Sequence, residues 1–303
     1  MLQRFPDGAR VCFIGDSLTA QNTVQWMTVD CYKNNFPNAN VRFFNCGVAG
    51  GTAASALLYL EDDVFIHNPT HAIIGFGVND SSRDTLSLPR TVERYDRLEN
   101  AFKNYKANMR KLCDELISRG IEVTLCTPPP YDEYHESSTP ALVGGYALML
   151  AYAEEVRKIA TEKNLPLCDY AKYFEREMQT DILYTGDHIH PNAHGYYVMG
   201  KYFLSLQGLD AGEERNTPPE YLKEWCGHVA ERVEIFSGEL MIVRDYSLPL
   251  EEKLKIAEEY VRTRTDVIPR LIEIATHYVQ LKPRQTEIFD AMDLAYTKSV
   301  LNK

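Results

Sequence analysis

Length, composition and charge narrow the class of protein. The chain has 303 residues, of which 45% are hydrophobic and 25% are charged, so it can bury a sizeable core without disulfides or metals. Its formal net charge of -11 argues against nucleic acid as a partner, because phosphate binding depends on clustered Lys and Arg.

The cysteines and the apolar runs bear on the compartment. The seven cysteines are scattered and include no Cys-x-x-Cys pair, which is typical of a reducing compartment. The N-terminal residues lack the basic and apolar regions of a secretory signal. No apolar run approaches the roughly 18 residues of a transmembrane helix. We therefore expect a cytoplasmic protein without an integral membrane segment.

Four short apolar runs, separated by longer amphipathic segments, predict buried strands. They cover residues 11–14, 41–44, 72–76 and 122–126, and a fifth short strand is predicted at 165–167. Helical spacing predicts helices over 92–119, 146–163 and 193–206. Alternating strands and helices predict an α/β fold with a parallel sheet covered on both faces.

A polar, proline-containing stretch after Leu209 predicts a linker. We therefore divide the chain into an N-terminal domain, residues 1–209, and a helical extension, residues 210–303. Helical spacing in the extension covers 250–264, 269–281 and 285–301. The apolar stripes of these helices must be buried, which leaves three roles open: a cap on the site, a limit on its size, or a homo-oligomer interface.

Polar and glycine-rich segments follow the first three predicted strands. They are Gly-Asp-Ser-Leu at 15–18, Asn-Cys-Gly-Val-Ala-Gly at 45–50 and Gly-Val-Asn-Asp at 77–80. Ligands of open parallel sheets bind outside the carboxyl ends of the strands, so we expect these segments to meet at one edge. A fourth segment, Asp-His-Ile-His-Pro at 187–191, precedes the last helix of the domain.

These segments contain the parts of a serine hydrolase. A serine hydroxyl needs a base to take its proton, and the base needs a carboxylate to fix its tautomer; Ser17, His190 and Asp187 are of these types. Developing negative charge on the substrate needs hydrogen-bond donors. The backbone N–H groups of Ser17 and Gly50 and the side-chain amide of Asn79 are suitable in type.

The four segments, in this order, resemble the signature blocks of the GDSL/SGNH hydrolase superfamily, whose Ser, Gly, Asn and His correspond to Ser17, Gly50, Asn79 and His190. The resemblance covers roughly residues 9–206. It implies a flavodoxin-like three-layer α/β/α fold with a five-stranded parallel sheet, esterase activity and no cofactor.

Two details of the resemblance concern the glycine and histidine blocks. Gly47, Gly50 and Gly51 compete for the oxyanion role, and the family pattern Asn-x-Gly-x-x-Gly selects Gly50. His188 stands where many relatives carry a small residue. Two interpretations stay open: its imidazole lies at the mouth of the site, or it points to solvent.

Several nearby residues are given other roles. Asp16 and Asp80 are predicted to order the turns around Ser17 and Asn79. His194 is predicted to lie on a helix surface or in packing. For Tyr131 and Tyr134, substrate contact and a solvent-facing loop are left as alternatives.

The resemblance implies ester hydrolysis through an acyl-enzyme but does not name the substrate. The acidity of the chain, its expected cytoplasmic location and the lack of an obvious lipid-binding amphipathic segment favour a small-molecule ester with short acyl groups, O-acetyl on carbohydrates first. A lysophospholipase or thioesterase is the alternative within the family. A metal-dependent hydrolase using Asp187, His188 and His190 is a further alternative. Activity that persists in chelator would exclude it. We predict that the site holds no metal. A noncatalytic binding module would be expected to lack the serine or the histidine, and both are present.

Overall fold

The computed structural model of the chain describes residues 2–137, 139, 142–227 and 229. Within them, one parallel sheet contains β1 (Arg10–Gly15), β2 (Arg42–Gly47), β3 (His71–Gly75), β4 (Glu122–Cys126) and β5 (Leu167–Cys168). The order across the sheet is β2-β1-β3-β4-β5. The predicted α/β fold with a five-stranded parallel sheet is confirmed. The first four strands lie within three residues of their predicted bounds, and the fifth begins two residues later.

Seven α-helices accompany the strands in the described residues. They are α1 (Ser17–Ala20), α2 (Thr23–Asn35), α3 (Ala53–Tyr59), α4 (Val92–Ser118), α5 (Gly145–Glu162), α6 (Tyr170–Glu177) and α7 (Ala193–Ser205). The three predicted helices correspond to α4, α5 and α7, each within one residue at both ends. None of the helices described combines the length and the apolar character that a membrane span requires.

The sheet separates two hydrophobic cores because successive side chains of a strand point to opposite faces. Val11 and Phe13 of β1 face one core, which contains residues of α2, α6 and α7. Cys12 and Ile14 face the other core, which contains residues of α3, α4 and α5. This arrangement gives the three layers that the resemblance implies.

Residues 210–227 pack on the domain. Asp30 of α2 accepts a hydrogen bond from the Tyr221 hydroxyl, and Leu222 and Trp225 are buried in the same core as α2. The three helices predicted between 250 and 301, and a homo-oligomer formed through them, fall outside the described residues. The division of the chain at residue 209 therefore stays a proposal.

Candidate active site

The turn that carries Ser17 (the nucleophile turn) lies directly at the carboxyl ends of the strands. Asp16 caps α1, its carboxylate accepting the N–H of Leu18 at 3.0 Å, so Ser17 is the first residue of the helix. A Cβ on Gly15 would lie 2.6 Å from the carbonyl oxygen of Gly75, and one on Gly47 would lie 2.4 Å from the nitrogen of Ala20. The strands can end this close to the turn only because these two positions are glycine.

Ser17, His190 and Asp187 are joined by two hydrogen bonds. The Oγ of Ser17 is 2.8 Å from the Nε2 of His190, and the Nδ1 of His190 is 2.5 Å from the Oδ2 of Asp187. A carboxylate can only accept, so the proton of the imidazole sits on Nδ1 and Nε2 is left to accept from the serine hydroxyl. The structure thus brings together the three residues predicted as a triad.

Asp187 is held as an anion. Its Oδ1 accepts the N–H groups of Ile189 and His190, both at 2.9 Å, and the hydroxyl of Thr185 at 2.8 Å. Partial burial raises the pKa of Asp187, but these hydrogen bonds and the one from His190 outweigh it and place the pKa well below its ordinary value.

Donors of the predicted oxyanion types are present beside the nucleophile turn. In the described part of the chain, the N–H of Gly50 has no hydrogen-bond partner, whereas Gly47 donates to Asn45 Oδ1 at 2.9 Å and Gly51 to the Val48 carbonyl at 2.8 Å. This contrast favours Gly50 among the three glycines. The N–H of Ser17, at the start of α1, has no acceptor within the helix.

The side chain of Asn79 retains one donor. Its Nδ2 donates to the carbonyl of Gly51 at 3.0 Å, and an amide nitrogen has two N–H groups. The second N–H is available to a ligand. The oxyanion roles of Ser17, Gly50 and Asn79 stay predictions.

Asp16 and Asp80 are buried in turns and do not contact His190. Asp80 accepts the N–H of Ala53 at 2.9 Å, at the start of α3. Burial raises the pKa of each of the two carboxyls to about 7. Asp16 also lines a small, partly open cavity of about 50 Å³ whose lining includes neither Ser17 nor His190. Asp16 therefore orders the turn around Ser17, as expected, and Asp80 links the segment after β3 to the start of α3.

His188, in the fourth segment, and His194, in α7, have separate partners. His188 is buried, its Nε2 lying 2.7 Å from the Thr139 carbonyl and 2.9 Å from Ser137 Oγ. The solvent-facing interpretation of His188 is therefore wrong, and a position at the mouth of the site stays a prediction. His194 lies on the surface of α7 with Nδ1 2.9 Å from Glu214, as predicted. Among the described residues, no three His, Cys, Asp or Glu side chains are placed to hold a metal ion.

The two tyrosines after β4 have different environments. Tyr131 is buried, and its hydroxyl donates to the Val78 carbonyl at 2.9 Å, so the solvent-facing alternative is wrong for this residue and substrate contact stays untested. Tyr134 is exposed, with its ring 5.6 Å from that of Tyr146. A triple-proline segment does not indicate which following side chain turns inward.

Arg83 is a residue of the site that no motif in the sequence indicates. Its guanidinium donates to the Oδ1 of Asn79 at 3.0 Å. Arg83 begins a short 3₁₀ turn, Arg83–Ser87, four residues after Asn79. The only signal for it in the sequence is that spacing, which is uninformative without knowledge of the turn.

Comparisons with known proteins identify relatives of this chain. The chain is 26% identical to an acetylxylan esterase of Geobacillus stearothermophilus over 222 residues, which is 67% of this chain and 95% of that protein. A solved structure of the Geobacillus enzyme superposes with a TM-score of 0.56, at 23% identity, over 69% of this chain and 99% of the other.

A gut microbial diltiazem-metabolizing enzyme superposes with a TM-score of 0.61 at 25% identity. The match covers 68% of this chain and 48% of that enzyme, so the chain spans about half of its length. The sequence profile of the GDSL-like Lipase/Acylhydrolase family matches residues 13–198. The matched range includes all four segments of the site, and the chain belongs to this family of ester-bond hydrolases.

Proposed function

We propose that the chain is a serine esterase that cleaves carboxylic esters through an acyl-enzyme, with Ser17 as nucleophile, His190 as general base and Asp187 as the carboxylate that orients it. The observation that carries the proposal is the relay of two hydrogen bonds, 2.8 Å from Ser17 to His190 and 2.5 Å from His190 to Asp187. Such a relay is the arrangement that activates a serine hydroxyl.

The reaction has two halves. In the first, Ser17 Oγ attacks the ester carbonyl while its proton passes to His190 Nε2, and the imidazolium returns that proton to the leaving alcohol. In the second, a water molecule gives its proton to His190 and attacks the acyl-serine, which releases the acid and restores Ser17. Asp187 stays ionised throughout and stabilises the imidazolium.

The carbonyl oxygen becomes negative in both halves. We assign its stabilisation to the N–H groups of Ser17 and Gly50 and the free N–H of Asn79. These donors are fixed before the substrate arrives, and donors that need no reorganisation give the largest transition-state stabilisation.

We further propose O-acetyl groups on carbohydrates as the substrate class. The support is the acetylxylan esterase that is 26% identical to this chain.

The same relative also supports the proposed triad. Solved catalytic mutants of that enzyme replace a serine, an aspartate and a histidine with alanine, and the last two stand three positions apart. Asp187 and His190 have the same spacing.

The test is hydrolysis of p-nitrophenyl acetate, butyrate and octanoate and of acetylated xylo-oligosaccharides by the wild type and by Ser17→Ala, each with and without a chelator. We expect chelator-resistant turnover that falls with acyl length and is lost in Ser17→Ala. Turnover unchanged by Ser17→Ala would refute the triad, and a preference for octanoate would point to the lysophospholipase or thioesterase alternative. Loss of activity in chelator would favour the metal-dependent alternative.

A further inference from the structure

The guanidinium of Arg83 is a half-buried cation beside the proposed oxyanion donors. It donates to Asn79 Oδ1 at 3.0 Å. Burial raises the pKa of the neighbouring Tyr131 and Asp16, and the charge of Arg83 offsets part of that rise. In the part of the chain that the structure describes, Arg83 makes no ion pair with a carboxylate, whereas Arg97 pairs with Asp84 at 2.9 Å. The contact of Arg83 with the Asn79 amide is therefore not part of a salt bridge.

Two contacts on opposite ends of the Asn79 amide fix which way it faces. The guanidinium of Arg83 has only donors, so it pairs with the amide oxygen, and the carbonyl of Gly51 only accepts, so it pairs with the amide nitrogen. A flipped amide would oppose donor to donor and acceptor to acceptor. The second N–H of Asn79 is thereby held in one direction.

We propose that Arg83 is a positioning residue for hydrolysis, which holds the Asn79 amide in the orientation that donates to the oxyanion. The inference rests on the proposed function, because it requires Asn79 to stabilise the transition state. Without the guanidinium, the Gly51 carbonyl remains the one contact that orients the amide, and the amide samples flipped and rotated states. Donors that must reorganise during the reaction stabilise the developing charge less.

A double-mutant cycle separates positioning from a direct role. The variants are Asn79→Ala, Arg83→Met and the double variant, and Arg83→Met keeps the apolar stem of the side chain. For each we would measure kcat and KM on p-nitrophenyl acetate. Asn79→Ala should lower kcat about 10²- to 10³-fold, the usual cost of removing one oxyanion donor. Arg83→Met should lower kcat roughly 10- to 100-fold, since the amide is present but misoriented, with KM changed less than about threefold.

The expected signature is non-additivity. If Arg83 acts through Asn79, the double variant should have the kcat of Asn79→Ala alone. Arg83→Lys should restore part of the loss, because an ammonium can still donate to Oδ1. Arg97→Met is the matched control, because Arg97 is an exposed arginine of α4 that pairs with Asp84 in the same 3₁₀ turn. This variant should keep kcat within about twofold.

The outcomes are distinguishable. Unchanged kcat in Asn79→Ala would refute the proposed oxyanion role itself. If Asn79→Ala loses kcat as expected and adding Arg83→Met lowers kcat further by the same factor as Arg83→Met alone, the positioning role is overturned and the proposed function stays intact. An effect of Arg83→Met on KM alone would also overturn it. If thermal unfolding shows that Arg83→Met does not fold, the same cycle with Arg83→Lys decides, because its smaller loss should also vanish in Asn79→Ala.

Discussion

Replacing Asp187 with asparagine is the sharpest perturbation of the proposed relay. Asparagine keeps the shape of the side chain, and its oxygen can still accept from Ile189, His190 and Thr185, as Oδ1 does now. The atom that faces His190 Nδ1 changes from an acceptor to an N–H donor. The imidazole must then carry its proton on Nε2, where it can no longer accept the proton of Ser17.

The expected size follows from this tautomer change. An aspartate-to-asparagine replacement in a serine triad lowers kcat about 10⁴-fold, which corresponds to about 5 kcal/mol of transition-state stabilisation. Stability should barely change, because the Asp187 side chain is 43% exposed and an exposed charged pair contributes at most about 1 kcal/mol.

The assay is the kcat of Asp187→Asn on p-nitrophenyl acetate, with urea unfolding as the check on stability. Thr185→Val is the matched control: it removes one donor to Oδ1 and leaves the bond to His190, so kcat should fall less than about tenfold. The double variant of Asp187→Asn with Ser17→Ala should be no slower than Ser17→Ala alone. A loss below about tenfold in Asp187→Asn would refute the role of Asp187 in setting the tautomer.

Three further predictions concern stability, each measured by urea unfolding. Burial raises the pKa of Asp16 to about 7, above its unfolded value, so the native state binds the extra proton between about pH 4 and 7. As the pH rises through this range, the unfolding free energy of the wild type relative to Asp16→Asn should fall by up to about 1.4 kcal/mol per pH unit. A difference that does not change with pH would contradict this. Gly195→Ala would place a Cβ 2.1 Å from the Leu183 carbonyl oxygen and should cost about 1–3 kcal/mol. Gly227 is helical and has nothing within 4 Å of the added Cβ, so Gly227→Ala should keep stability or raise it by up to about 1 kcal/mol; equal effects would refute the steric argument. His188 has a φ of 65°, so His188→Gly should be more stable than His188→Ala by about 1 kcal/mol, and the opposite order would show that the backbone is not the cause.

The fold could be predicted wherever a segment buries one clear set of apolar residues. Strands buried between the two cores are short apolar runs, which the sequence shows directly. The apolar residues of α4, α5 and α7 recur with the helical period. The helix α2 was not singled out, because it also buries Gln25, Thr28 and Lys33 and its apolar face is not separated from its polar one. The four-residue α1 is set by its cap at Asp16 rather than by periodicity.

The site could be predicted to the extent that its residues follow strands or repeat a family pattern. Ser17 and Asn79 lie where a parallel sheet presents its ligands, and the three-residue spacing of Asp187 and His190 lets one turn hold both. The roles of His188 and Arg83 depend on which way a side chain turns in an irregular segment. That direction is decided by tertiary contacts, with the Thr139 carbonyl in one case and the Asn79 amide in the other.

The predicted linker shows the same distinction between composition and packing. Polar and proline-rich residues after Leu209 correctly indicate a stretch without helix or strand, and it extends to the 3₁₀ turn Glu220–Leu222. Composition does not reveal that Trp225, beyond it, is 1% exposed in the core that contains α2. Burial of a tryptophan is worth about 3–5 kcal/mol against alanine, which is a large part of the stability of a typical domain. A fragment ending at 209 would leave that face of α2 uncovered, so the catalytic unit should be tested as residues 1–229.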